Sequence, residues 1–231
     1  MGLFYWFTVP GTGPDIRGGK LATGFESLYG LGKSHQTPGF ELSFPVSRTG
    51  SLHAEAWRNV GSRDQTAPDD TVLFGTTFLT GDKLATNYKT NSVKIYLDDL
   101  LYPHKFPVSK FRLKSMWGVQ YVYFKTSVDA TNITAGLSAA GSRTLVLPSI
   151  GAAAEYAISP HVLLRAGGSG FGLPHKSVIW DGEATISVRQ RKVEFVGGLK
   201  AFHFKTTPAK EQYISQEIYG GFVGLRYHFG S

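Results

Sequence analysis

The sequence predicts an all-β protein: a closed, antiparallel β-barrel whose strands cross a membrane, ten in number, with twelve as the alternative count. Three observations predict it. Apolar and polar residues alternate with period two over runs of 10 to 14 residues. That exceeds the roughly 5–6 residues usual in soluble strands and matches the roughly 9–11 needed to span a bilayer. The composition is lean in charge (18%) and rich in aromatics (13%) and glycine (28 residues), where a soluble domain carries about 25% charge. The connections alternate short and long, as they do when one end of a barrel faces an inner compartment and the other the outside.

The chain of 231 residues suffices for one barrel. Without cysteine it has no disulfide scaffold, thiolate metal site or cysteine nucleophile. No stretch approaches the roughly 18 apolar residues of a membrane helix, and no run shows helical period. The formal charge of +7 comes from basic residues scattered along strands and turns rather than gathered in one run. Nucleic acid is therefore not an expected partner.

Residues 1–17 read as a lead-in, apolar over Leu3 to Val9 (LFYWFTV) and broken by Pro10-Gly11-Thr12-Gly13-Pro14. MGLFYWFTVP lacks a basic stretch and a small-residue cleavage site, so it is not a signal peptide. Met1-Gly2 and Gly230-Ser231 read as additions to a mature chain, and 18–229 as a single barrel domain.

The ten strands are taken in order. The first is Lys20 to Tyr29, and after a polar loop the second is Phe40 to Val46. A tight Ser47-Arg48-Thr49-Gly50 turn leads to Ser51 to Val60, where Leu52, Ala54 and Ala56 oppose His53, Glu55 and Trp57. A long outer segment, 61–83, follows, in which Val72 to Leu79 could add a strand. The fourth strand, Leu84 to Asp98, sets Val93, Ile95 and Leu97 against Lys94, Tyr96 and Asp98. The Pro103 to Pro107 turn precedes Phe111 to Thr126, and a polar loop at 127–142 precedes Arg143 to Tyr156. Val162 to Phe171, Ser177 to Arg189 and Val193 to Lys205 follow, and the last strand is Glu217 to Phe229. Gly167 to Gly172 looks like a phosphate loop, but no helix follows it, so it reads as strand.

That last strand, EIYGGFVGLRYHF, has one apolar face with aromatic ends and one mixed face ending in Arg226 and His228. It resembles the C-terminal signal strand of bacterial outer-membrane β-barrels, whose final aromatic marks them for insertion. The resemblance implies residence in the outer membrane of a Gram-negative envelope. It also implies membrane lipid and the outer-membrane assembly machinery as partners. Lipopolysaccharide phosphates would pair with rim lysines Lys33, Lys83, Lys89, Lys176, Lys205 and Lys210.

The two faces then take different duties. The apolar parity holds an aromatic girdle: Tyr29, Trp117, Tyr121, Tyr123, Tyr156, Trp180, Tyr227 and Phe229, with Phe229 at the inner rim. The other parity lines the lumen: Glu26, Glu41, Glu55, Lys94, Asp98, Arg112, Lys114, Arg143, Glu155, Arg165, Asp181, Glu183, Arg189 and Arg226, with Lys20, Glu194 and Lys200 on the same parity. Acids and bases nearly balance there, so a paired network is expected, with Glu26 as partner of Arg226. No cofactor or metal is expected, and the histidines are too dispersed for a metal site.

Function reads as a porin-like narrow passive pore or a structural envelope barrel. A second class is an outer-membrane enzyme acting on lipid or peptide at the outer loops, where Asp69, Asp70, Asp82, His35 and His175 fall. No motif of the lipid A deacylases, palmitoyl-transferases or omptin-like proteases stands intact, and His203 is followed by Phe204-Lys205 rather than a hydroxyl residue. A third class is a soluble lipocalin-like binder.

Overall fold

The computed structural model describes residues 1–8, 13–18, 27–102, 110–174, 176–208 and 212–229. All regular structure among them is β. The long strands are β6 (Gly50–Thr66), β9 (Lys83–Tyr102), β10 (Phe111–Ala130), β11 (Ser138–Ser159), β12 (Val162–Gly172), β13 (Val178–Gln190), β14 (Val193–Lys205) and β15 (Gln212–Tyr227). Each pairs antiparallel with the next. Those are eight staves of the wall. The other two are interrupted: β1 (Gly2–Thr8) with β2 (Pro14–Gly18), and β3 (Ser27–Gly30) with β4 (Lys33–Gln36) and β5 (Pro38–Pro45). β1 pairs β15 on one edge and β5 on the other, which closes a ten-stave barrel.

The fold class and the count of ten hold, but two staves differ from the expectation. Where a lead-in was expected, Gly2–Thr8 and Pro14–Gly18 pair into the wall, and β1 seals the barrel. Leu3, Tyr5 and Phe7 face out while Phe4 and Trp6 face in, so the run that looks uniformly apolar is a strand with ring-lined faces on both sides. The expected first and second strands meanwhile share one stave, because β3 and β5 lie along the same gap between β2, β1 and β6. Most of the expected first strand, with Lys20 and Glu26, lies outside the described residues. So do Pro103 to Pro107, His175, Lys210 and Gly230-Ser231.

Val72 to Leu79 adds no stave. It folds as a separate hairpin, β7 (Thr71–Leu73) and β8 (Thr76–Phe78), off the wall. Leu73 and Phe78 are fully buried with Leu84, Val128 and Ala139, so the hairpin caps the outer mouth. Three tethers hold it. Gln212 accepts from the Phe74 amide (3.0 Å) and donates to the Val72 carbonyl. Asp82 accepts from the amides of Leu79 and Thr134 (2.9 Å each) and from the Thr134 hydroxyl (2.6 Å). Asn132 donates to the Gly81 carbonyl.

The wall is uneven in height. β9 and β10 have 20 residues and β11 has 22. At about 3.3 Å per residue they far outreach a hydrocarbon core of about 30 Å. β11 pairs β12 only from Ile150 to Ser159. The ladder stops just below Pro148, which has no N–H to offer it. On the inner side the short turns bring the termini together, and the Met1 amine donates to the Tyr227 carbonyl.

Candidate functional site

The register of the wall assembles the lumen. One row of cross-strand partners reads Arg189, Glu194, Arg226, Gly2, Glu41, Glu55, Lys94 and Gln120. A second reads Arg112, Glu155, Arg165. A third sets Glu183 opposite Lys200. Opposite charges on facing strands lie within reach of one another, and an unpaired charge in a narrow lumen would be costly.

Near the inner end, Arg226 lies between Glu41 and Glu194 (Nη2–Oε2 and Nη1–Oε1, 3.2 Å each), and His228 Nε2 reaches Glu194 at 2.7 Å. Arg226 reaches Glu41 because Gly2 stands between them in the row. A Cβ at Gly2 would meet Glu41 Cγ at 2.9 Å and Arg226 Cγ at 3.0 Å. Glu41 is therefore the partner of Arg226, where Glu26 was expected: β1, not the expected first strand, adjoins β15 at this height. Glu155 collects Arg112 (3.0 Å), Lys114 (3.4 Å) and Arg165 (3.9 Å). Lys114 also reaches Asp98 at 2.8 Å, which takes His53 at 3.2 Å. The His53 ring stacks on Tyr96, 4.6 Å apart.

Deeper in, Lys200 pairs with Glu55 and Arg165 lies 3.7 Å from Glu183. The Lys94 ammonium donates to both oxygens of Asp181 (2.7 and 2.9 Å) and to Ser169 (2.6 Å), and Ser169 is bonded to Ser149 (2.8 Å). The space enclosed among Glu55, Lys94, Arg165, Asp181 and Lys200 is only about 20 Å³. Two of the predicted lumenal residues stand apart from this network. Arg189 donates to the Arg191 carbonyl in the inner turn, and Arg143, high on β11, donates to the Ser142 carbonyl.

Above the charges lies an aromatic layer. Trp57 meets Trp6 edge-on at 5.9 Å and Phe202 at 4.7 Å, and Phe204 meets Phe202 and Phe124 at 6.1 and 6.2 Å. All five are buried. Beside these rings, Thr90, across from Phe124, donates at 2.6 Å to Gln216, across from Phe204, and Asn59 donates to Thr37 (2.7 Å).

Of the girdle residues, Trp117 (56% exposed), Tyr121, Tyr156, Trp180, Tyr227 and Phe229 stand on the outer wall, and Tyr123 is half-buried there. Tyr29 does not. It is 4% exposed, inside the barrel, and bonded to Thr86 at 2.8 Å. In the interrupted second stave the parity carried over from the expected first strand fails. The outer acids are structural: Asp82 ties the cap, and Asp70 accepts from Thr80. His203 faces outward opposite Glu217 and stacks on Trp180, 5.6 Å away. Among the described residues it makes no hydrogen bond to a hydroxyl. Alternation puts His53 and His228 on the lumenal side but gives them no partner, because Asp98 and Glu194 come from other strands, and the inward Trp6 carries no charge to mark it.

A closed barrel with an exposed apolar outside and a charged, hydrogen-bonded inside is built for a bilayer. In fold this is a bacterial outer-membrane β-barrel of ten strands. Among solved structures it is similar to the outer membrane protease OmpT from Escherichia coli, with a TM-score of 0.65, 11% identity, and coverage of 99% of this chain and 96% of that one. It also overlaps the attachment invasion locus protein Ail of Yersinia pestis (TM-score 0.40, 8% identity, 96% of each chain). A third is the transport unit of the autotransporter AIDA-I from Escherichia coli (TM-score 0.42, 11% identity, 99% and 91%). No family model and no curated protein matches the sequence.

Proposed function

We propose that this protein is a closed envelope barrel, structural rather than conducting. The observation that carries this reading is the stacking of two filled layers in the lumen. The charge layer leaves about 20 Å³ at its centre, room for about one water rather than for a continuous column of them. The aromatic layer above it packs Trp6, Trp57, Phe202, Phe204 and Phe124 ring to ring, and the β7–β8 hairpin covers the mouth. A passive pore needs a continuous hydrated path, and the two packed layers favour a sealed lumen over such a path. The test is planar-bilayer recording of the detergent-purified, heat-modifiable barrel. Silence at moderate voltage is expected, and regular single-channel steps would overturn the reading in favour of a pore.

A further inference from the structure

With the lumenal charges largely paired, the basic excess of the chain falls on its outside. One concentration stands out. Arg58 on β6, Lys89 on β9 and Lys125 on β10 all sit on the lipid-facing parity, in line with Ala56, Val93 and Tyr121 below them. Lys125 and Lys89 are direct cross-strand partners. Lys89 faces Val60, two residues from Arg58 on the same face. Two like charges directly opposite one another destabilise a sheet. Yet among the described residues none of the three makes an ion pair or a side-chain hydrogen bond. Of the acids that share this face, Asp129 is four residues above Lys125, and Asp64 is six above Arg58 and four above Val60, the partner of Lys89; four residues are about 13 Å along the strand. That is beyond the roughly 8 Å over which exposed charges act at physiological salt. The three cations border a shallow concavity of about 480 Å³, also lined by Asn87 and Ser127.

Position identifies the occupant. Lys125 is two residues above Tyr123 and four above Tyr121, and Lys89 is four above Val93, where the apolar belt on β9 ends. Tyrosines mark the membrane–water interface, so the cations stand one step outside it, at headgroup height on the long-loop side. A soluble anion would need no apolar wall beneath it; a lipid would lay its chains along Val93 and Tyr121.

We propose that Arg58, Lys89 and Lys125 form a docking site for the phosphate groups of a phosphorylated glycolipid of the outer leaflet, of the lipid A type. A phosphate between Lys89 and Lys125 turns their repulsion into a bridge. Ammonium groups serve it as point charges, and the Arg58 fork can hold a phosphate by two parallel bonds.

The test is native mass spectrometry of the whole barrel in detergent, titrated with diphosphoryl lipid A, its monophosphoryl form, and inorganic phosphate as competitor. The parent should retain the diphosphoryl lipid and hold the monophosphoryl form more weakly. The triple variant Arg58→Gln/Lys89→Gln/Lys125→Gln should bind about tenfold less or worse. Lys83→Gln/Lys176→Gln/Lys205→Gln removes as much charge elsewhere on the outer rim and should bind like the parent. Heat-modifiable migration checks that each variant folds. If the triple does not, Lys89→Gln and Lys125→Gln are read singly, each expected to weaken binding severalfold. Three results overturn the site: parental binding by the cation variants, equal loss in the control triple, or displacement of the lipid by millimolar inorganic phosphate, which would mean a free-anion site.

Discussion

At the scale of single residues, Gly2 shows how a missing side chain makes an ion pair. It occupies the lumenal row between Arg226 and Glu41, and only hydrogen in place of Cβ lets the two close over it. Gly2→Val should cost about 1–3 kcal/mol, the usual penalty for an over-packed site. Most of that cost should vanish in a Glu41→Ala background, read as the urea midpoint of the heat-modifiable band in a double-mutant cycle. Costs that simply add would mean that Gly2 matters for something other than this pair. Lys200 supplies a second residue-level test. It is buried against Glu55, with its ammonium 5.1 Å from the Phe4 ring centroid. Lys200→Met strands a carboxylate and should cost about 3–5 kcal/mol, whereas the joint Glu55→Leu/Lys200→Met exchange should come out near neutral. If single and double variants lose equally, the attraction between these two charges is not what holds them.

At the scale of elements, legibility followed periodicity. β9 to β15 are single uninterrupted strands whose parity can be read directly. Lys94, Asp98, Glu155, Arg165, Asp181 and Glu183 all take the inward side that alternation assigns them. The first two staves are broken, and a break erases the parity that would carry Tyr29 to its correct side. Leu3 to Val9 hides its faces because Phe4 and Trp6 are as apolar as Leu3 and Phe7; the inside is aromatic at that height, so hydropathy cannot separate lumen from lipid. The β7–β8 cap was invisible for another reason. Its place is fixed by Gln212, Asp82 and Asn132, polar contacts between segments distant in sequence. That cap carries a pH dependence. Burial raises the Asp82 carboxyl, but the bonds from Thr134 and the Leu79 amide outweigh it and hold it below the usual range. A group depressed on folding stabilises above its unfolded pKa, about 3.9 for Asp. That contribution is lost as pH falls through the lower folded value. The 71–78 hairpin should therefore gain hydrogen exchange and proteolytic nicking only under distinctly acid conditions, with the wall still intact. Asp82→Asn should show the loosened cap at neutral pH. Identical protection in parent and variant at pH 7 would remove Asp82 from this duty.

At the scale of the whole molecule, charge, ring and cap layers lie in series along one axis, and the tightest of them sets conduction. Opening one leaves the others shut. Glu55→Ala/Lys200→Ala enlarges the charge layer but leaves Trp57 against Phe202 and Trp6, so bilayer recordings should stay silent. Trp57→Ala/Phe202→Ala opens the ring layer but leaves Lys94 held by Asp181 and Ser169, and should stay silent as well. The four substitutions together, in a chain that also carries Asp82→Asn to loosen the cap, should give discrete steps. Those steps should be sensitive to ionic strength, because the remaining lumenal charges line the opened path. Steps from the charge-layer pair alone would show that the rings do not seal. Silence from the combined variant, with heat-modifiable folding intact, would show that the barrier lies elsewhere in the lumen than the layers named here.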